Sequence, residues 1–401
     1  MALRYIDSLD LAGTRTFIRA DFNVPLKNGA ITDATRIEAA LPTIQWAIAQ
    51  GAHVILASHL GRPKGGPDPK LTLKPVADHL AELLHLKVTL APDCVGPEVE
   101  QLSRHLDRKQ VLLLENLRFH PEEEKNDPAF AKQLAALCDV YVNDAFGAAH
   151  RAHASTEGMA RLVPKRAAGF LMKKEVEALS RITGSPDRPL VAILGGAKVS
   201  DKIKIIEHLL TKVDALLIGG AMAYTFLRAQ GQPTGDSLVE DDRIDTARAV
   251  LASAKERGTA LRLAVDHLVT TALDGSAPAD VVVDIPAGRK AVDVGPATVA
   301  LYKTEIAKAR TLFWNGPMGI FEVDAFSKGT MAIADAMADS DALTVVGGGD
   351  SIAALARSGR SDDISHISTG GGASLEFLEG RKLPGIEVLQ DRRPATAGAK
   401  A

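Results

Sequence analysis

The sequence predicts an α/β protein of two doubly wound parallel-sheet domains joined by a hinge helix, and three observations carry that reading. Short, mostly apolar runs alternate with longer amphipathic segments along nearly the whole chain. Most of those runs are soon followed by Gly, Pro, Asn or Asp. The chain is 401 residues long, enough for two domains of ordinary size. Strands that are apolar throughout, with helices between them, belong to parallel sheets covered on both faces.

In chain order, the first half offers strands at Thr14–Ile18, His53–Ala57, Val111–Leu114 and Val140–Val142, with helices at Asp33–Gln50 and Pro128–Cys138. Gly158, Pro164 and Gly169 then interrupt the pattern, a charged helix covers Leu171–Ile182, and Thr183–Pro189 is a turn-rich linker. This places an N-terminal domain at 1–170, the hinge elements at 171–189 and a C-terminal domain at 190–379. The second half offers strands at Leu190–Leu194, Ala215–Ile218, Leu261–Val265, Val281–Val283, Leu312–Trp314 and Leu343–Val346. Its helices are expected at Ser200–Val213, Glu240–Arg257 and Ala325–Ala338, and the tail Arg392–Ala401 is expected to fray.

Composition narrows the function. With 47 basic and 50 acidic side chains the net charge is −3, unlike a protein held to nucleic acid by its phosphates. No run of about 18 apolar residues predicts a membrane span, and the charged N-terminus lacks an apolar signal core. Cys94 and Cys138 form no CxxC pair, sit among apolar neighbours, and read as reduced core residues of a cytoplasmic protein rather than zinc ligands.

Ligands of parallel sheets bind at the carboxyl ends of the strands, so the loops there carry the chemistry. In the first half these loops are basic. Asp21-Phe-Asn-Val-Pro25 offers an acid and an amide, either to orient a ligand or simply to form an Asx-type turn. Ser58-His-Leu-Gly-Arg-Pro63 offers His59 and Arg62, the loop at Asn116–Phe119 offers Arg118, and the loop from Val142 to His153 offers His150, Arg151 and His153. A single loop arginine reads as solvated surface. Three strand exits bearing Arg, or His with Arg, converge on one sheet edge and make a cationic pocket for a small, multiply charged anion such as a sugar phosphate. Arg36 joins from the side, and arginine suits the task because its fork binds phosphate or carboxylate bidentately. His150 and His153 have zinc-ligand spacing but lack a Glu-x-x-His or His-Glu-x-x-His context.

In the second half the loops are rich in glycine: Gly195–Lys202, Gly219–Met222, Asn315–Gly319, Gly347–Ser351 and Gly370–Ser374. Glycines between a strand and a helix let backbone N–H groups approach phosphate oxygens, where the helix terminus favours negative charge. Close packing explains any one pair, but not two triple-glycine loops each opening a helix. The P-loop and dinucleotide fingerprints are absent, since position 352 is Ile, which disfavours a nicotinamide-dependent dehydrogenase. Lys198 and Lys202, four apart near an expected helix start, share one face and suit a phosphate between them, the alternative being a solvated helix edge. Asp350 is placed to hold a hydrated Mg²⁺ that bridges phosphates.

These motifs, taken together, resemble the phosphoglycerate kinase family nearly end to end. The residues that carry the resemblance are 19–25, 58–63, 114–119, 142–153, 195–202, 313–322, 347–351 and 368–374. It implies two Rossmann-like domains, the first binding 3-phosphoglycerate or 1,3-bisphosphoglycerate and the second ATP or ADP with Mg²⁺, with the segment from about 380 to 401 returning to the first. By motif position it implies Asp21, Asn23, Arg36, His59, Arg62, Arg118 and Arg151 for the phosphoglycerate. Gly196, Lys202, Gly219, Gly295, Asn315, Glu322, Gly347, Gly348, Gly349, Asp350 and Ser351 are implied for the nucleotide, with Glu322 on the ribose and Asp350 on the metal. Arg36, Lys198, Lys202, Gly371 and Gly372, with the amides of 370–372, are implied for the phosphoryl group in flight. Ala20, Ala148 and Ala221 stand where the family usually has valine, threonine and often glycine, and none of them removes a charge. A monomer that closes about its hinge helix, with neither nucleic-acid nor membrane partners, completes the expectation.

Overall fold

The computed structural model describes residues 3–390 and contains two compact units, one of residues 3–176 with 382–390 and one of 177–381. The strands of the first are β1 (Arg15–Arg19), β2 (Leu26–Lys27), β3 (Ala30–Ile31), β4 (His53–Ala57), β5 (Lys87–Leu90), β6 (Gln110–Leu113), β7 (Val140–Asn143) and β8 (Lys165–Ala168). Six of them form one sheet in the order β5-β6-β4-β1-β7-β8, while β2 and β3 make a short antiparallel hairpin. Every ladder in the six-stranded sheet is parallel. The central strands are buried on both faces, with Phe17, Ile18, Val54, Leu56, Leu113 and Val142 in the core. Burial on both faces is what a continuous apolar run signals. The helix Thr35–Ala49 covers part of this core with Ile37, Ala40, Ile44 and Ala47. Asp33 starts that helix by accepting from the Thr35 N–H at 2.9 Å, and this sets Arg36 in the first turn.

The second unit holds β9 (Leu190–Leu194), β10 (Ala215–Ile218), β11 (Ala260–Arg262), β12 (His267–Thr270), β13 (Asp280–Val282), β14 (Lys290–Val294), β15 (Thr311–Asn315), β16 (Leu343–Gly347) and β17 (His366–Ser368). Its main sheet runs β11-β10-β9-β15-β16-β17, all parallel, with the order reversing between β9 and β15. The doubly wound reading of both sheets holds. Residues 382–390 join the first unit: Asn143 Nδ2 donates to the Gly385 carbonyl at 3.1 Å, and Arg166 Nε donates to the Val388 carbonyl at 2.7 Å. The expected frayed tail lies outside the described residues.

Three expectations need correction. Val281–Val283 is no parallel strand: β13, β12 and β14 form a separate antiparallel sheet. Val281 and Val283 are exposed, so their apolar run reflects no double-sided burial. The strand expected at Leu261–Val265 ends at Arg262. The helix expected from Ser200 starts only at Ile203; ahead of it the Glu240 carboxylate takes the N–H groups of Val199 and Ser200 at 2.5 and 3.1 Å and the Ser200 hydroxyl at 2.6 Å. That acceptor holds the preceding residues in a loop.

On β14 the Asp293 carboxyl is buried, takes the Gly329 N–H on Oδ2 at 2.6 Å, and leaves Oδ1 without a partner. Burial pushes it up to about 7 from its ordinary 3.8. Between those two values the folded chain binds the proton and the unfolded chain does not, so the group's contribution is full at low pH and is lost as pH rises toward 7. The loss is on the order of 4 kcal/mol. Asp293→Asn should therefore gain stability over the wild type at about pH 8 and much less at about pH 5, read from urea midpoints; equal gaps at both would refute it.

Candidate active site

The first unit gathers its charged groups at the carboxyl edge of β1, β4, β6 and β7, four strands adjacent in the sheet. Arg19 ends β1 and is buried; its Nε donates to Ser155 Oγ at 2.8 Å and its Nη2 lies 3.2 Å from His59 Nδ1. Ser155 in turn gives its hydroxyl and its N–H to the wholly buried Glu123 carboxylate at 2.5 and 2.9 Å. Arg36 Nη1 donates to Asp21 Oδ2 at 3.0 Å, so the acid after β1 orients the arginine. The Asn23 side-chain oxygen accepts from the Gly61 N–H at 2.8 Å, and Arg118 Nη1 donates to the Gly61 carbonyl at 2.8 Å.

The histidines register how closely these cations converge. Burial pushes His59 well below its ordinary value, and the charges of Arg19, Arg118 and Arg36 push it further. His153 is driven down to about 3 by burial, then by Arg19, Arg118 and Arg151. Both imidazoles are neutral at neutral pH and serve as hydrogen-bonding groups in a cationic pocket. Arg62 lies with Arg118 on a cleft of about 250 Å³ that also includes Glu124 and Lys125. All seven residues expected to hold an anion thus sit at this edge.

Asn116 braces two of the loops. Wholly buried, it accepts on its side-chain oxygen from the Leu60 and Arg118 N–H groups, both at 3.1 Å, and donates to the Leu60 and Leu71 carbonyls at 2.8 and 2.9 Å. It therefore fixes the loop of His59 relative to that of Arg118.

In the second unit a cleft of about 580 Å³ opens where the strand order reverses, the position at which such sheets take their ligands. Ala221, Leu238, Leu273, Val292 and Met318 give it an apolar wall. The loops after β9 and β15 meet there at backbone distance: a Cβ on Gly195 would stand 2.1 Å from the Pro317 carbonyl oxygen, and one on Gly316 2.2 Å from that of Gly195. Of the residues expected at a nucleotide, Gly196, Glu322 and Asp350 line this cleft. Lys202 is near enough for the charge of Asp350 to support its ammonium, although burial still draws it down to about 8. Lys198 is exposed and, like Lys202, precedes the helix Ile203–Leu210, so the two share no helical face.

Other expected residues stand behind the cleft or away from it. Asn315 is buried and donates to the Gly347 carbonyl at 2.7 Å, and the Ser351 hydroxyl accepts from the Gly316 N–H, so both tie one loop to another. Gly348 packs on Asn315, whereas a Cβ at Gly349 or Gly371 would meet nothing within 4 Å, leaving the backbone there open. Gly295 lies on a different cleft, of about 700 Å³, beside Asp293 and Lys328. A Cβ there would meet the Asp266 carboxylate, which caps the helix Pro296–Ile306 by accepting from the Ala297 and Thr298 N–H groups at 2.9 and 2.7 Å.

The chain as a whole has close relatives among known proteins. The family described as phosphoglycerate kinase matches residues 6–381. The chain belongs to the phosphoglycerate kinase family. It is 60% identical over 396 residues to the phosphoglycerate kinase of Anaeromyxobacter sp. (strain K), covering 98% of this chain and 100% of that one. It is 56% identical over 398 residues to that of Koribacter versatilis, with 96% and 99% covered. Among solved structures, the phosphoglycerate kinase from Coxiella burnetii superposes with a TM-score of 0.90 at 44% identity, over 97% of this chain and 98% of that one. The enzyme from Pyrococcus horikoshii OT3 gives 0.78 at 35% identity over the same shares.

Sequence reasoning missed four residues that build these sites: Arg19, Asn116, Glu123 and Glu240. Arg19 carried a signal, as a charge closing an otherwise buried strand. Glu240 carried none, since it lies 40 residues from the Ser200 it holds. Burial pulls its carboxyl up, but the hydrogen bonds of Ser200 and Val199 and the charge of Lys198 outweigh that and hold it below the usual range. Asn116→Ala should cost about 3 kcal/mol or more, because it strands several buried backbone groups. Urea unfolding measures this, and a loss below about 1 kcal/mol would show the brace to be dispensable.

Proposed function

We propose that this chain catalyses reversible phosphoryl transfer between ATP and the carboxylate of 3-phosphoglycerate, giving ADP and 1,3-bisphosphoglycerate, as a glycolytic and gluconeogenic enzyme. The observation that carries the reading is the convergence of Arg19, Arg36, Arg62, Arg118 and Arg151 with two neutral histidines on one sheet edge, in a member of this family. The proposal assigns the phosphoglycerate to Asp21, Asn23, Arg36, His59, Arg62, Arg118 and Arg151 in the first unit. It assigns the nucleotide to the cleft of Gly196, Glu322 and Asp350, with Lys202 beside it.

The acceptor is a carboxylate, so no proton has to be removed and no general base is needed; the neutral His59 and His153 are consistent with that. Transfer rests on positioning and on neutralising the charge spread over the equatorial oxygens. Arg36, held by Asp21, Lys198, and the amides of 370–372 supply that charge in the proposal, while Lys202 steadies the nucleotide phosphates. Asp350, an exposed carboxylate in the first turn of the helix Gly349–Ser358 and facing Lys202's charge, suits Mg²⁺, which prefers one or two carboxylates plus substrate phosphates. When bound, Mg²⁺ neutralises phosphate charge and orients the nucleotide. The helix and linker at 171–189 are the proposed hinge, and the proposal includes a cytoplasmic monomer.

A coupled assay tests the reaction: protein, MgATP and 3-phosphoglycerate, with the product followed by its NADH-dependent reduction. Turnover that is abolished by EDTA and by Lys202→Ala is expected, and absence of turnover with a folded protein would overturn the reading. Arg36→Ala should lower kcat by about 10²-fold or more, the equivalent of about 3 kcal/mol of transition-state stabilisation; a wild-type kcat would remove Arg36 from the catalytic role.

A further inference from the structure

At the β5–β6 side of the first sheet, beside the cationic pocket, the loops after β5 and β6 bring three unlike ligand groups together. The ends of the two strands are tied by the Ala91 N–H donating to the Leu113 carbonyl at 2.8 Å. The loop after β5 carries Asp93 and Cys94, and the turn that follows Arg118 carries His120. A carboxylate oxygen, the thiol sulfur and an imidazole nitrogen of these residues all lie within 4.8 Å of one another. His120 Nε2 stands 2.7 Å from Asp93 Oδ1, and the ring is stacked on Phe130 at 5.2 Å between centroids, which fixes its direction.

A hydrogen-bonded His–Asp pair is ordinary; this one has a thiol against the same carboxylate, to which the Cys94 N–H also donates at 2.6 Å. Cys94 is a free, fully buried thiol beside a carboxylate and an imidazole; burial and then the charges of Asp93 and Glu123 favour its protonated form when no cation is bound. His120 and Asp93 are part-exposed, and His120 lies on the cleft of about 250 Å³ that gives access from solvent.

We propose that Asp93, Cys94 and His120 form a binding site for a thiophilic divalent cation of the zinc type. The donor set of one sulfur, one nitrogen and one oxygen selects such a cation and disfavours Mg²⁺ or Ca²⁺, which take oxygen ligands. Three protein ligands leave the fourth tetrahedral position to water from the cleft. On binding, the thiol gives its proton to solvent and the sulfur becomes a thiolate. Thiolate and carboxylate then balance the 2+ charge, which explains how a cation is accepted close to Arg118. The metal would pin His120, two residues after Arg118, and so restrain that loop. None of the three ligands is assigned a part in the proposed reaction, and the site is tested without it.

The test titrates metal-free, full-length protein with Co²⁺ in the absence of nucleotide. One equivalent should produce thiolate-to-cobalt charge-transfer absorption in the near ultraviolet, together with the intense visible bands of four-coordinate cobalt. One equivalent of Zn²⁺ should bleach both. Cys94→Ser should abolish the charge-transfer band, His120→Gln should weaken binding by about 10–100-fold or more, and Cys138→Ser should change neither. The circular dichroism and melting point of each metal-free variant establish that it is folded. Should Cys94→Ser fail to fold, His120→Gln and the Zn²⁺ competition still decide. Absence of a charge-transfer band, its survival in Cys94→Ser, its loss in Cys138→Ser, or unchanged affinity in His120→Gln would each overturn the site.

Discussion

Burial of both faces of a parallel sheet is the constraint from which the rest of this molecule follows. In β9 all five residues are buried, and in β15 likewise, so neither strand has a face on which to carry chemistry. Charge is left to the strand ends and the loops beyond them. In the first unit this concentrates arginines to a degree that would be self-repelling without an internal counter-charge. Glu123 supplies one, reaching Arg19 through the Ser155 hydroxyl. Burial raises the carboxyl's pKa while Arg19 opposes the rise, so the buried acid and the buried base each make the other tolerable.

The two units meet the same constraint differently. One edge is built from side chains and is cationic. The other is built largely from backbone, since the loops after β9 and β15 approach so closely that only hydrogen fits at Gly195 and Gly316. Side chains recognise an anion by charge and fork geometry, whereas exposed backbone amides recognise it by direction. An apolar wall beside those amides adds room for a flat, uncharged group.

Much of this was legible in the sequence, and the reasons for success and failure are local. His53–Ala57, Leu190–Leu194 and Ala215–Ile218 read at their true bounds because they are central strands, apolar by necessity. The edge strands β5, β8 and β17 went unread because Lys87, Lys165, Arg166 and His366 dilute the apolar signal at positions only partly covered. The residues gathered at the cationic edge were legible because, Arg36 apart, they lie in the loops that follow β1, β4, β6 and β7. Gly295, implied only by motif position, stands against the Asp266 carboxylate, a contact that no local pattern in the sequence announces. The pairing of Lys198 with Lys202 was read on the wrong backbone, since the residues before Ile203 form a loop tied to Glu240, and no local pattern announces that contact. Cys94 belongs to the same class: no ligand spacing links it to His120, and only the adjacency of β5 and β6 does.

Lys202 illustrates a cost built into such a cleft. An amine that loses its proton near pH 8 is, in an appreciable fraction of molecules at neutral pH, an uncharged nucleophile rather than an inert cation. The burial that draws its pKa down thus leaves this side chain open to covalent capture by small electrophiles able to enter. An anion seated against it restores the ammonium, so occupancy of the cleft and chemical protection of its lysine rise and fall together.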